Sequence, residues 1–555
     1  MGTSKDPSGC TRVVLIYPNT YYLGMSNLGF QSVLRLFNNL NGCSSERAFF
    51  PEEIRLKEFV RTGTPLFSLE TQTPLNQFDI LAFSISFEDD FFNIPHILKL
   101  AGIDLYSKER KQRPLVIAGG VAVSLNPEPI APFVDLFFMG EAESLVGEFF
   151  SMYQAGLGKK KGCPTQKEEL LHGFASIKGI YVPSLYEFDF DGVGIKSIRP
   201  LEGVPSMVNA RKAYGDKNCP MPESIITTPD TEFKDTVLME IERGCGRGCR
   251  FCVAGFLYLP PRWGDDSVAS ETLTRAVSLT GRAGLVGAAV SEYPGLKPLL
   301  EQGLRLGADM TISSIRVDTV DEGLLGLLKK AGLKTVTFAP EAGTERLRSV
   351  INKHISNSEI IESARLVGDA GFTRLKLYFM LGLPTETDED AVSIAGLVCA
   401  MRKVMKRGKF LISINPFVPK PFTPFQWHPF EHEAVLEKRF SLVKKEFLRI
   451  RGVELKRFSV KSALRETYLS RADRRAARVL AEALGTGKTK ALKGCASPCM
   501  EEVVYRTIGF DEVLPWDTIS HGLDKRYLWK EYMKGLKGLI TSPCDVGRCF
   551  RCGVC

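Results

Sequence analysis

The chain has 555 residues, 44% hydrophobic, 25% charged and 10% aromatic, a balance that excludes a disordered or collagen-like polymer and leaves room for about three or four domains. The net charge of +8 is uneven: residues 1–400 sum to −7 and residues 401–555 to +15, which favours a polyanionic partner, nucleic acid above all, over a merely solvated basic surface at the carboxyl-terminal end. No apolar run approaches the ~18 residues of a membrane span. The polar start Met1–Thr11 lacks a signal-peptide core, so a cytoplasmic protein without a membrane partner is expected.

Short apolar runs ending in Gly or polar loops alternate with helical stretches over residues 1–150: Val13–Tyr17, Ile80–Phe87, Pro114–Ala118 and Val134–Met139, with helices near Gly29–Asn39 and Ile94–Leu100. This pattern predicts an α/β, doubly wound, flavodoxin-like sheet that binds ligands at the carboxyl ends of its strands. Residues 151–235, with the run Lys159-Lys160-Lys161 and several prolines, read as a connector with some strands. Over 236–428 the alternation returns, with strands expected at Val237–Ile241, Leu285–Ser291, Thr311–Val317, Thr335–Ala339, Arg374–Met380 and Leu411–Pro416. Six repeats in so short a span suit a partial (β/α)6 barrel rather than a closed eight-fold one. Residues 429–555 read as a basic, helix-rich region with a cysteine-rich tail.

The fourteen cysteines are clustered: Cys245, Cys249 and Cys252 fall within eight residues, and Cys544, Cys549, Cys552 and Cys555 within the last twelve. A large chain without an export signal does not use cysteine as a disulfide scaffold, so metal or cluster ligation is the better reading. Cys245-Gly-Arg-Gly-Cys249-Arg-Phe-Cys252 follows the first barrel strand on a loop that its glycines make flexible. Three thiolates there can hold three corners of a 4Fe–4S cube and leave the fourth iron open. A structural zinc site needs a fourth ligand, and none of the six histidines is near the loop in sequence.

This C-x3-C-x2-C loop after the first strand of a partial barrel resembles the radical SAM superfamily. The resemblance implies that the open iron chelates S-adenosylmethionine (SAM), and that one electron cleaves it to a 5′-deoxyadenosyl radical. It also assigns residues. Phe251 matches the aromatic residue before the third cysteine. Glu292, in Val290-Ser-Glu292 where Gly-Gly-Glu is usual, would receive the SAM amino group. Arg316 and Glu341 would serve the carboxylate and ribose. Gly382 and Pro384, in Tyr378-Phe-Met-Leu-Gly-Leu-Pro384-Thr-Glu386, would pack on adenine. An electron donor such as flavodoxin or ferredoxin is implied as a partner.

The amino-terminal sheet beside such a barrel resembles the cobalamin-binding domain of cobalamin-dependent radical SAM enzymes, on Ser84-Ile-Ser86, Gly119-Gly120 and Gly140-Glu141. Small residues at strand ends would let the corrin and its nucleotide tail approach the backbone. The loop Pro18–Ser26, with Tyr21 and Tyr22, would meet the lower face without a histidine, because Asp-x-His-x-x-Gly is absent. The tail Cys544-x4-Cys549-x2-Cys552-x2-Cys555 begins with plant-ferredoxin spacing, and an auxiliary cluster, a zinc site or free thiols all remain open. Cys495 and Cys499 are alternative ligands. Arg465–Arg475, Leu514–Asp517, Asn415–Trp427 and the Cys-Gly-Val-Cys ending also resemble one radical SAM family that joins a cobalamin-type domain to the barrel. Arg471, Arg474, Arg475 and Arg478 recur every three or four residues, which predicts one helix face, either solvated or phosphate-binding.

The expected function is therefore a radical SAM enzyme, with cobalamin-dependent methylation of an unactivated carbon as its finer form. The alternatives are cobalamin-independent radical modification of RNA, such as tRNA, and a non-catalytic metal-bearing RNA-binding protein.

Overall fold

In a computed structural model of the protein, residues 5–111, 113–157, 166–213, 221–457, 459–494 and 498–555 are described. The lysine run 159–161 and Cys495 fall outside them. The chain divides into two compact units, one of Met1–Lys234, Tyr468–Val504 and Asp511–Gly522, the other of Asp235–Thr467, Tyr505–Phe510 and Leu523–Cys555. Residues 429–555 are thus shared between the two.

The first unit is built on a six-stranded sheet: β1 (Thr11–Tyr17), β2 (Cys43–Phe49), β3 (Ile80–Ser84), β4 (Leu115–Gly119), β5 (Leu136–Phe138) and β6 (Ile180–Tyr181), in the order β2-β1-β3-β4-β5-β6. The first five are parallel and β6 is antiparallel to β5. Covered on both faces, β1, β3 and β4 are continuous apolar runs, the sequence signature of a buried parallel sheet. The edge strand β2, Cys-Ser-Ser-Glu-Arg-Ala-Phe, has no such run and was not expected. Its polar side chains are matched by a neighbouring loop: Glu46 accepts from Ser68 at 2.6 Å and Thr71 at 2.7 Å, and Arg47 pairs with Glu70 at 2.6 Å. The connector adds a hairpin of β7 (Tyr186–Asp191) and β8 (Gly194–Pro200), and β9 (Val208–Asn209) pairs with Ile519–Ser520.

Two glycines at the carboxyl edge of this sheet have one conformation open to them. Gly120 has φ +114° and Gly140 φ +111°, and a Cβ would collide with the backbone of Ile85 and of Arg211 respectively. Replacing Gly140 by alanine is expected to cost at least about 1–3 kcal/mol, measured by denaturant unfolding; an unchanged midpoint would refute this close packing.

The second unit holds seven parallel strands among its described residues, in two sheets. β10 (Val237–Glu240), β13 (Arg282–Val286) and β14 (Asp309–Ile312) form one, after a small ribbon of β11 (Glu242–Arg243) and β12 (Arg262–Trp263). β15 (Val336–Glu341), β16 (Arg374–Leu381), β17 (Lys409–Pro416) and β18 (Val453–Arg457) form the other. This is the expected partial barrel with one strand more. In β16, Leu375, Leu377, Phe379 and Leu381 are buried, while Lys376, Tyr378 and Met380 on the opposite face stay partly accessible. β13 and β14 each end five residues earlier than expected, which places Glu292 and Arg316 beyond the strands.

Candidate functional site

Just past β10 the chain enters the thiol loop. Gly244 has φ +87° and a Cβ there would collide with the Tyr258 carbonyl, so glycine lets the loop double back. The Cys245 amide donates to the Ala254 carbonyl at 3.2 Å, and the Cys252 amide to the Cys249 carbonyl at 3.0 Å. Cys249 is buried and Cys245 and Cys252 are half-buried. Burial pushes the Cys245 thiol up to about 12 and the Cys252 thiol up to about 11, and repulsion from Cys249 adds to both. Burial raises Cys249 as well, against the pull of Lys353, Arg316 and Arg247. Positive charge is therefore concentrated where thiolates must form.

Around the loop stands a network of acids and bases. Glu292 pairs with Arg247 Nε at 2.5 Å and Arg316 Nε at 2.9 Å. Asp318 accepts from Arg316 at 3.0 Å and pairs with Arg247 at 3.2 Å. Glu341 follows an irregularity in the β15–β16 pairing, has φ +67°, and pairs with Lys353 at 3.1 Å. A glutamate held in the left-handed region is strained, and such strain collects at functional sites. Glu242, pushed up to about 7 by burial, accepts from the Ala289 amide at 2.6 Å.

The structure thus gathers Glu292, Arg316 and Glu341 near the thiols as expected, and adds Arg247, Asp318, Lys353 and Glu242. Arg247 lies inside the C-x3-C spacer and Asp318 two residues after Arg316, so local position alone would have found both. Glu242, three residues before Cys245, has the same kind of local signal, and Lys353 has none. Phe251 is half-buried between its two cysteines, while its neighbour Arg250 is fully buried.

Gly382 and Pro384 are buried in a closely packed turn, where a Cβ on Gly382 would lie 2.9 Å from Glu431 and from Leu436. The Gly382 amide donates to Glu386 at 2.7 Å, and Glu386 in turn holds Arg439 at 2.9 Å. Tyr378 and Met380, on the partly accessible face of β16, lead into this turn.

In the first unit, the residues expected to cradle cobalamin divide into two groups. Gly120 packs on Ile85, and Gly140 on Arg211. Glu141 bonds Ala213 N at 2.7 Å, and Gly119 lies against Phe138. Residues 470–472 cover the loops after β3 and β4, with Ser470 on Glu88 at 2.9 Å and Asn126 on the Ser470 and Ala472 carbonyls. At these positions the backbone packs closely on the chain's own residues. Tyr21, Tyr22, Ser84 and Ser86 lie at or beyond the ends of β1 and β3. Tyr22, Leu23 and Phe87 there are 40%, 45% and 62% exposed.

The predicted arginine face is also corrected. The helix Val460–Arg471 stops and another begins at Ala476, so the four arginines share no single helix. Arg471 donates to the Val504 carbonyl, Arg474 pairs with Glu128 at 2.8 Å and covers Phe188, and Arg475 pairs with Asp473 at 2.7 Å and covers Phe190. Of the four, Arg478 is exposed.

The second unit is thus a partial barrel with three thiols on its first loop and a paired network of acids and bases beside them. Residues 239–398 match the family model described as the radical SAM superfamily, and residues 29–183 match that of radical SAM proteins, N-terminal. The chain belongs to the radical SAM superfamily and is a radical SAM enzyme, whose family chemistry uses a 4Fe–4S cluster and SAM. It is 29% identical over 465 residues, 83% of this chain and 88% of the other, to "Uncharacterized protein MJ0966" of Methanocaldococcus jannaschii. The radical SAM methyltransferase TsrM of Kitasatospora setae, solved with tryptophan and a SAM analogue, aligns with a TM-score of 0.47 at 14% identity over 75% of this chain and 74% of TsrM. The cobalamin-dependent enzyme OxsB, solved with aqua-cobalamin and SAM, aligns at 0.49 and 14% identity over 90% of this chain and 64% of OxsB. Cys245, Cys249 and Cys252 fit the cluster, because three thiols on one loop face Lys353, Arg316 and Arg247, cations that suit an anionic group.

Proposed function

We propose that this enzyme takes a hydrogen atom from an unactivated C–H bond of its substrate, at the carboxyl ends of the barrel strands. The observation that carries the reading is the Arg247–Glu292–Arg316–Asp318 network beside the thiol loop. When bound, the cluster supplies the electron that cleaves SAM to methionine and the 5′-deoxyadenosyl radical. The residues of the chain do the rest. Cys245, Cys249 and Cys252 hold three irons. Glu292 and Asp318 exchange part of their ion pairing for the SAM amino group, and Arg316 and Arg247 do so for its carboxylate. Glu341, kept above its ordinary range by burial against the pull of Lys353, faces the ribose hydroxyls.

The anaerobically reconstituted protein is expected to convert SAM to 5′-deoxyadenosine, read by chromatography. Arg316→Ala is expected to weaken SAM binding roughly 10- to 100-fold, the scale of one lost charged hydrogen-bonding partner. An unchanged Kd would remove Arg316 from the site.

The finer form of the reading adds methyl transfer from cobalamin. Its support is the pairing of a flavodoxin-like sheet with the barrel and the exposed, histidine-free apolar rim at Tyr22, Leu23 and Phe87. Against it stands the filled edge at Gly120, Gly140 and Glu141. Gel filtration after incubation with hydroxocobalamin decides between them. Retained corrin absorbance supports methylation, and a corrin-free protein that still makes 5′-deoxyadenosine leaves radical chemistry without that donor. RNA as the substrate rests on the +15 carboxyl-terminal segment alone.

A further inference from the structure

The tail cysteines take no part in the chemistry above, yet the second unit brings them to one place. Thr541 anchors the start of the tail: its amide donates to Asn352 Oδ1 at 2.8 Å and its hydroxyl to Glu531 at 2.8 Å. At the far end, the Asp524 amide donates to the Cys552 carbonyl at 2.9 Å, tying Cys552 to the start of the helix Lys525–Leu536. Between these anchors the Cys544 amide donates to the Gly246 carbonyl at 2.6 Å, inside the loop that carries Cys245 and Cys249.

Held in this way, the segment turns back on itself. The amides of Arg548 and Cys549 both donate to the Asp545 carbonyl, at 3.1 and 3.0 Å, a tight turn leading into the Cys549-x2-Cys552 pair. Cys549, Cys552 and Cys555 all lie close enough to Cys544 for their charges to be felt there. Arg551 Nε donates to Cys549 Sγ at 3.1 Å while its other end holds the Ser542 and Pro543 carbonyls at 2.9 and 3.0 Å. A guanidinium fixed on a sulfur is matched to a thiolate carrying metal-bound charge. Cys544, Cys549 and Cys552 line one cavity together with Gly246, Gly248 and Gly255 of the thiol loop. The glycines add no side chain to it, and a Cβ on Gly246 would come 3.5 Å from Cys544 Cβ. Four thiols in the pattern Cys544-x4-Cys549-x2-Cys552-x2-Cys555 are enough to ligate every iron of a cube.

We propose that Cys544, Cys549, Cys552 and Cys555 hold a second iron–sulfur cluster, seated against the loop that holds the first. With four thiolates every iron is ligated, so this centre has no open corner for SAM and cleavage stays at the three-cysteine loop.

The test counts iron and acid-labile sulfide in full-length protein reconstituted anaerobically with iron and sulfide. Wild type is expected to bind about eight of each per chain, and Cys245→Ala/Cys249→Ala/Cys252→Ala about four of each, because its tail is intact. The variant with all four tail cysteines changed to serine is expected to bind about four, with circular dichroism confirming its fold. Mössbauer spectra of the triple alanine variant then report a 4Fe–4S centre that SAM does not perturb. A triple alanine variant that binds no iron, or one that binds a single zinc per chain, overturns the proposal. Wild type with two clusters but no 5′-deoxyadenosine would sink the proposed function and leave this site standing.

Discussion

Cys249→Ala is expected to abolish 5′-deoxyadenosine formation and to lose the catalytic cluster, with the iron content of the three-cysteine loop falling to background. The reason is geometric. The cube is held at three corners, and the loop offers no fourth thiol to substitute, since Cys245 and Cys252 are the other two. Cys249 is also the most deeply buried of the three and the one toward which Lys353, Arg316 and Arg247 direct their charge. Two thiolates leave two irons exposed to water, and the cluster hydrolyses or is never assembled. The measurement is single-turnover SAM cleavage with dithionite, together with an iron count that falls by about four per chain. Measurable cleavage by Cys249→Ala would show that the radical is not made at this loop.

Arg250→Met is expected to destabilise the second unit by about 3 kcal/mol or more, the scale of breaking a buried ion pair. Arg250 is completely buried and donates to the carbonyls of Ser349 at 3.0 Å, Val350 at 2.9 Å and Leu539 at 2.7 Å, and to Glu531 at 3.0 Å. It therefore pins the thiol loop to the helix Glu345–Val350 and to the segment leading into the tail. Methionine keeps most of the volume and leaves those acceptors without their donor. Burial would raise the Glu531 carboxyl, but Lys534, Thr541 and Arg250 together hold it below its ordinary value. A depressed carboxyl contributes stability above its unfolded pKa, and that contribution is lost as pH falls through the folded one. Removing Arg250 cancels part of this gain, so the gap between wild type and variant should be widest near neutral pH and narrow below about pH 4. Denaturant unfolding at pH 7 and at about pH 3 checks both size and direction, and an equal gap at the two values would contradict the pairing.

Much of the architecture was legible in the residues as they stand. Short apolar runs punctuated by glycine identified both α/β units, because a strand buried on both faces has to be apolar throughout. The exception, β2, shows the limit of that rule: Glu46 and Arg47 are buried beside partners that belong to a loop more than twenty residues away. The ends of β13 and β14 were misplaced because apolar residues continue past the hydrogen-bonded strand into the turns that carry Glu292 and Arg316.

What the sequence determined unaided is the chemistry of the three-cysteine loop, since its ligands are neighbours in the chain and their spacing is itself the geometry. Tertiary structure alone decided the rest. It paired Arg247 and Arg316 with Glu292 and Asp318, packed Gly120 on Ile85 and Gly140 on Arg211, and used Arg474 and Arg475 inside the first unit. It also laid Cys544 against Gly246, almost three hundred residues upstream. Charge pairing and close backbone approach depend on which strand ends and loops become neighbours in space, and no local pattern of residue types encodes that adjacency.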